Sequence, residues 1–514
     1  MRLKICLLAI CALALTAQGT LAKSDKRGVG ENQFSFESQM SPLEPGVTWY
    51  YNWANVPGSG YNSEVINYTG FEYVPMCWNA SYSADKIREY CAEHSEVKYL
   101  LGFNEPNFTS QANMTAAEAA EAWTDVKALA DELGLKLVGP AVNYSSDGDD
   151  NDPFTWYANF VSLVGTDAFD YIALHCYGGA ATAATMIEQM YSTYGKQIWL
   201  TEFCYWPNGT GDVYVAPTTQ ISSMLNTVEY LEKSDAVFRY AWFKAVGDHD
   251  SSSKPNYGLI VTKAGLGERE LSPQGYVYTY MTDFDETVYH ATETEIAASE
   301  YINQSAIQLY PGYNDDCPSP IEISQFNAGA YADYQFDVPT AGDYYLVLTV
   351  AGAGEPTRFD PTIGVYAVND DDDSDGDELS EPVQFEISGN DSTYTRQYFP
   401  LTLSAGKQKI RIKDTNAYKP SGIHISTVML ADAAGITGAE ADASGDYKIA
   451  TSDGQISIIG SNFASALVYD LNGRLAASTA TSNTIDASAL NSGVYIVKIL
   501  GLDGSSSVKK IIIK

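Results

Sequence analysis

Two glutamates interrupt runs that otherwise read as buried strand: Glu105 in GFNEP and Glu202 in LTEF. An apolar run does not hold a carboxylate for packing, because an unpaired buried charge is costly. Two carboxylates facing each other across a cleft can divide the labour of breaking a glycosidic bond. At roughly 5–5.5 Å apart one protonates the leaving oxygen while the other attacks, and a wider gap leaves room for a water instead. Asn104, directly before Glu105, is placed to meet a sugar 2-hydroxyl, a contact that strengthens in the transition state. His175, in YIALHCY, is expected as a neutral hydrogen-bonding residue, with a purely structural role at a strand end left open.

Such a pair needs a rigid frame. From Lys26 to about Asp283 short apolar or aromatic runs alternate with helical patterns. The runs are KRGVGE from Lys26, TWYYNW from Thr48, FEYVPMCW from Phe71, YLLGFNEP from Tyr99, KLVGPAV from Lys136, YIALHCY from Tyr171, QIWLTEFC from Gln197 and AVFRYAWF from Ala236. Eight runs over roughly 250 residues fit a β/α (TIM) barrel. GLIVT from Gly258 is expected as a small hairpin beyond the barrel. Between runs, Thr115 and Glu118 form a capping box ahead of the stripe Ala119, Trp123, Val126, Ala130 and Leu133. Ile221, Leu225, Val228 and Leu231 make a second stripe, opened by Pro217. In this frame Glu105 ends the fourth strand and Glu202 the seventh, at the barrel end where catalytic groups gather.

The 37 Tyr and 8 Trp suit ring faces that stack on sugars. Trp53, Trp78, Trp206 and Trp242 fall at or just beyond strand ends and are expected to line the cleft, whereas Trp49, Trp123, Trp156 and Trp199 are expected in the core. Taken in order, WYYNW, YVPMCW, LLGFNEP, GPAV, HCYG, WLTEF and RYAWF resemble glycoside hydrolase family 128, a β-1,3-glucanase family of the retaining barrel clan. The resemblance covers about half the chain. It implies Glu105 as acid/base, Glu202 as nucleophile, Tyr177 as hydroxyl donor to Glu202, and Trp242 as the strand-eight sugar platform. The expected reaction is cleavage of a β-1,3-glucan polysaccharide, with endo action expected and neither metal nor cofactor. Two alternatives stay open: another polysaccharide cut by the same clan, or a surface protein that binds glycan without cutting it.

The formal charge, 30 − 65 = −35, repels phosphate backbones and excludes a nucleic-acid partner, while a neutral glucan stays compatible. MRLKICLLAICALALTAQGTLA has the basic start, apolar run and small closing residues of a secretory signal. The five cysteines after it (77, 91, 176, 204, 317) are too few and too scattered for a disulfide framework or a zinc site, so buried thiols are expected, with Cys77–Cys91 as the one plausible pair.

From about Thr287 to Leu430 strand-like runs replace helical ones, consistent with a β-sandwich. FNAGAYADYQFDVPTAGDYYLVLTV and LTLSAGKQKIRI resemble carbohydrate-binding modules of the family 6 and 35 type. Tyr310, Tyr313 and Tyr418 are its candidate glycan contacts, and Glu295 and Glu300 partly match the relatives' calcium element. The acidic stretch Asp370–Asp377 lacks a Glu at position twelve of an EF-hand loop and reads as a solvated loop.

The tail, with its Asn472-Gly473 turn and Lys-rich last strand, resembles the C-terminal sorting domain of type IX secretion substrates. That implies passage through the type IX machinery, then secretion or attachment at the outer-membrane surface. The expected division is a signal at 1–22, the barrel at 23–284, the sandwich at 285–432 and a small sandwich-like sorting domain at 433–514.

Overall fold

The computed structural model describes residues 23–513 apart from 33, 59–62, 146–151, 208–210, 263–268, 313–316, 325, 353–360, 370, 385–388, 417–421, 433–447, 453–454, 460–462, 471–473, 480–483 and 502–505. The signal at 1–22, Tyr313, Tyr418, Asp370 and the Asn472-Gly473 turn lie outside the described residues.

All eight expected runs become parallel strands: β1 (Arg27–Gly30), β2 (Trp49–Tyr51), β3 (Glu72–Tyr73), β4 (Tyr99–Leu101), β5 (Lys136–Val142), β6 (Tyr171–Cys176), β7 (Ile198–Phe203) and β8 (Val237–Phe243). They hydrogen-bond in the order β3-β2-β1-β8-β7-β6-β5-β4. A parallel bridge between Met76 and Leu101 joins the two ends of that order, so the sheet curls into a barrel-like core. The hairpin expected beyond it forms from β9 (Ile260–Thr262) and β10 (Arg269–Leu271).

Among the described residues seven α-helices accompany these strands: α1 (Ser63–Ile66), α2 (Ala84–Glu93), α3 (Ala116–Leu133), α4 (Pro153–Val164), α5 (Ala180–Tyr194), α6 (Pro217–Lys233) and α7 (Pro273–Tyr280). The Thr115–Glu118 capping box forms, and Gly134 closes α3 in the left-handed conformation (φ 68°), which costs glycine little. Both apolar stripes face inward: Ala119, Trp123, Val126 and Ala130 of α3, and Ile221, Leu225, Val228 and Leu231 of α6, are buried.

The barrel interior is packed, not hollow. Trp49, Tyr51, Val74, Met76, Leu101, Val138, Ala141, Ala173, Trp199 and Ala241 form one buried cluster inside it. β1 leaves room for this filling: a Cβ on Gly28 would lie 2.2 Å from the Trp49 indole. Toward the strand starts the Arg239 guanidinium lies over Tyr99 (4.7 Å), Trp199 (5.1 Å) and Trp49 (5.6 Å) and pairs with Glu72 at 2.7 Å. Desolvated cation–π contacts of this kind favour arginine.

β7 departs from strict alternation. Leu174 pairs with Leu200 but His175 pairs with Glu202, so β7 carries one extra residue, and the same slip appears against β8. A bulge re-aims side chains. Trp199 faces the interior and Leu200 the helix layer, and after the bulge it is Glu202 that returns to the interior side while Phe203 packs outward on Tyr240 and Trp242.

Among the described residues after α7 there is no further helix. Two six-stranded sheets follow. One includes Tyr331–Val338, Thr362–Val368, Asp375–Gln384 and Gly406–Asp414, and the other Gly342–Gly352, Asn390–Leu403 and Ile423–Asp432. Their buried residues, such as Phe336, Leu346, Ile410 and Ile425, belong to the same hydrophobic cluster as the outer layer of the barrel. Gln304 and Gln308 add hydrogen bonds to Glu229 (3.1 Å) and Ser222 (3.3 Å) of α6. The strands from Lys448 to Ile513 form two smaller sheets around a separate cluster.

Two of the acidic groups considered for calcium have basic or hydroxyl partners. Asp375 pairs with Arg411 and Lys413, and Glu295 accepts from Thr427 (2.6 Å) and Arg396 (3.0 Å). The five cysteines are free, with Cys77, Cys176 and Cys204 buried.

At the base, Arg27 donates to Glu232 (3.0 Å) and to the carbonyls of Tyr278, Met281 and Thr282, locking β1 to α6 and the end of α7. Both partners are almost fully buried. Arg27→Met would strand the Glu232 carboxylate, which is expected to cost roughly 3–5 kcal/mol. A lower chemical-denaturation midpoint for the barrel is the measurement that checks it.

Candidate active site

The carboxyl ends of the strands bring Glu105 and Glu202 together. Each is nearly buried, at 7% and 5% exposure, in a wall built by β4, β6 and β7. The Glu105 N–H donates to the Ala141 carbonyl of β5 (2.9 Å), extending the short β4, and the residue sits at φ 42°. Trp53, beyond β2, is also left-handed, at φ 56°. Non-glycine residues persist in that region only where surrounding structure imposes it. At Trp53 the imposition is visible: Asn52 Oδ1 accepts from the Ala54 N–H (3.2 Å) and the Tyr73 hydroxyl (2.7 Å), bracing the turn.

His175 is fully buried between the two carboxylates. Its Nδ1 lies 2.9 Å from Glu105 Oε1 and 3.4 Å from Glu202 Oε2. Burial by itself would lower the imidazole pKa, but Glu202 and Glu105 together outweigh it and raise the value above the ordinary one. The two carboxylates thus make the ring easier to protonate than a free imidazole. Its Nε2 is buried with no hydrogen-bond partner among the described residues.

Donors converge on Glu202. Trp53 Nε1 donates to Oε1 at 2.7 Å, Tyr177 donates its hydroxyl to Oε2, and the Tyr51 hydroxyl lies 3.4 Å from Oε1 while donating to the Thr201 carbonyl. Burial raises the Glu202 pKa and the Glu105 carboxylate adds to this, while His175, Tyr177 and Trp53 pull it down, with a net upward shift. An indole N–H can only donate, so the hydrogen-bond set fits the ionised carboxylate. One oxygen from each glutamate and a ring nitrogen of His175 lie within 4.8 Å of one another, a spacing a cation would also accept. The contacts favour a proton, since a protonated Nδ1 has no lone pair to offer a metal.

Asn104 is buried, donates to Gln111 (3.3 Å), and leaves its Oδ1 acceptor without a partner among the described residues. Trp53, Trp78 and Trp206 are partly exposed at this end, as expected of cleft residues.

Trp242 is not with them. It is 0% exposed, packed on Phe203 and Tyr278 in the helix-facing layer, with its indole N–H on the Tyr257 carbonyl. On β8 the interior side is taken by Arg239, Ala241 and Phe243, so alternation sends the neighbouring Trp242 outward.

Phe243 occupies the cleft position, against Tyr177 (5.5 Å), Tyr257 (5.7 Å) and Trp53 (5.8 Å). Tyr257 in turn stacks on Trp206. Phe243 and Tyr51 could have been found from period-two counting along VFRYAWF and WYYNW. Tyr257 lies in a loop with no such signal. The other four tryptophans, 49, 123, 156 and 199, are core residues as expected.

Residues 28–278 match the family model described as glycosyl hydrolase catalytic core, and residues 449–514 the model described as secretion system C-terminal sorting domain. Among solved structures, an endo-β-1,3-glucanase of glycoside hydrolase family 128, subgroup II, from Pseudomonas viridiflava is 31% identical, covering 50% of this chain and 98% of that one with a TM-score of 0.43. A subgroup II enzyme from Sorangium cellulosum is 33% identical with the same coverage and TM-score. Alkali-sensitive linkage protein 1 of Schizosaccharomyces pombe is 28% identical over 230 residues, 44% of this chain; the chain spans 40% of that relative's length.

Because its folded-state pKa is raised, His175 contributes stability that is fully present below about pH 6.5 and fades as pH rises through the folded value. A histidine-labelled NMR titration should place the His175 ring above its ordinary value. Glu105→Gln and Glu202→Gln should each move it down.

Proposed function

Residues 28–278 are a glycosyl hydrolase catalytic core, and from that premise we propose that this protein hydrolyses β-1,3-glucan by two-step retention outside the cell that makes it. The observation that carries the mechanism is the pair of nearly buried carboxylates with oxygens within 4.8 Å of each other and of His175. An approach this close supports direct attack, for which the carboxyl groups stand roughly 5–5.5 Å apart, over inversion, which needs roughly 6.5–9.5 Å to admit a water. The substrate rests on the ordered motifs from WYYNW to RYAWF, whose aromatic members flank the pair, and on the neutrality of a glucan beside a chain of net charge −35.

In this reading Glu202 attacks the anomeric carbon while Glu105 gives its proton to the departing oxygen, leaving a glucosyl ester on Glu202. Glu105, now a base, takes a proton from water as the water oxygen attacks the same carbon and frees Glu202. Trp53 and Tyr177 hold Glu202 ionised and aimed, and the His175 ring, between the two glutamates, holds Glu105 through its Nδ1. The open Asn104 Oδ1 accepts the sugar 2-hydroxyl, and Trp53, Trp78, Trp206 and Phe243 supply ring surface. Endo action is proposed from the resemblance of the ordered motifs to family 128.

The remaining parts fit an exported enzyme. Residues 449–514 are a secretion system C-terminal sorting domain, which directs the protein through type IX secretion to the outer-membrane surface or to release. The division is proposed as a signal at 1–22, a catalytic unit at 23–284, a carbohydrate-binding-module-like sandwich at 285–432 and the sorting unit at 433–514.

Glu202→Gln should lower kcat on soluble β-1,3-glucan by at least about 1000-fold. Wild-type-like turnover in that variant would sink the mechanism, as would α-anomeric product at early times in an NMR assay. Trp53→Phe keeps a ring but removes a donor that lowers the Glu202 pKa. Its acid limb in a pH–rate profile should therefore move to higher pH.

A further inference from the structure

Among the described residues of the barrel segment, the exposed large apolar side chains are Phe36, Tyr144, Leu163 and Tyr214. Single exposed apolar residues need no explanation. These, however, are not scattered: the three aromatics lie in connections leaving the carboxyl ends of β1, β5 and β7, the end that holds Glu105 and Glu202.

Two of them are tied to the walls of the cleft. Tyr144 stands two residues past β5, next to Asn143, whose carbonyl accepts from Asn107 of the Glu105 loop (2.8 Å). The Tyr144 N–H donates to the Asn143 side chain (2.8 Å), and Phe154 props the ring edge-on at 6.0 Å. Tyr214 closes the connection that starts at Trp206. Within that connection the Trp206 indole donates to the Gly211 carbonyl (3.1 Å). Its neighbour Val215 is buried and bridged to Pro255, close to the Tyr257 that stacks on Trp206. Tyr144 is 51% exposed and Tyr214 54% exposed, so both present bare ring surface to solvent.

We propose that Tyr144 and Tyr214 are outlying platforms of the cleft, each stacking on a sugar ring of a neutral polysaccharide that runs past the catalytic pair. A tyrosine offers an apolar face and a wet hydroxyl, which is what a pyranose presents in return. Loops set on a rigid barrel place such rings reproducibly. The chain's net charge of −35 argues against an anionic polymer as occupant. This inference rests on the glycan-hydrolase reading and deepens it: the enzyme would grip a long chain more tightly than a short one.

Rings remote from the reacting bond contribute equally to ground-state and transition-state binding, so their loss raises KM and spares kcat. In the full-length protein, Tyr144→Ala and Tyr214→Ala should each lower kcat/KM on laminarin about five-fold. The same variants should leave a β-1,3-linked trisaccharide within about two-fold, and Tyr144→Phe and Tyr214→Phe should match wild type. Equal losses on polymer and trisaccharide, or none on either, would overturn the platforms while leaving the hydrolase reading intact.

A wild-type protein idle on both glucans would instead overturn the substrate. The platforms are then read without turnover, by electrophoresis through gels containing β-1,3-glucan, mixed-linkage glucan or mannan. Stronger retardation of wild type than of the Tyr144→Ala/Tyr214→Ala double variant in at least one gel supports them. Equal mobility in every gel refutes them.

Discussion

Two carboxylates a few per cent exposed and within 4.8 Å of each other repel strongly, and the barrel end is arranged around that repulsion. The His175 ring sits between them, its Nδ1 2.9 Å from Glu105 and 3.4 Å from Glu202. Glu202 is pinned from two directions by Trp53 and Tyr177, and Glu105 is fixed through its backbone to β5. Below, the packed interior and the aromatic box around Arg239 leave the strands little room to separate. Buried like charges destabilise the fold locally, and the close packing beneath is what lets the molecule tolerate them.

The frame was readable because a barrel strand is an apolar run bounded by turn residues, and each of the eight runs became one. The glutamates were visible for the same reason, as charges where apolar residues belong. What failed was phase. A run announces a strand without saying which alternate residues face in, and Trp242 was placed in the cleft that Phe243 occupies. β7 shows why simple counting would not have been a safe remedy: its extra residue breaks the period, and uninterrupted alternation from Trp199 would have sent Glu202 into the helix layer. Tyr257 reaches the site from a loop, and the upward pull on the His175 pKa comes from Glu105 and Glu202, 70 and 27 residues away in sequence. Neither leaves a local mark.

The two sheets that follow the barrel are more than an appendage on a string. Their buried residues continue the barrel's outer cluster, and α6 bonds to both Gln304 and Gln308. The sheets and the barrel thus share one buried surface and two hydrogen bonds rather than a tether alone.

The last strands are organised differently. Their hydrophobic cluster shares no residue with the one that joins barrel and sheets. Among the described residues, then, the sorting strands bury their apolar side chains on one another, so the segment that carries the address draws no packing from the enzyme it delivers.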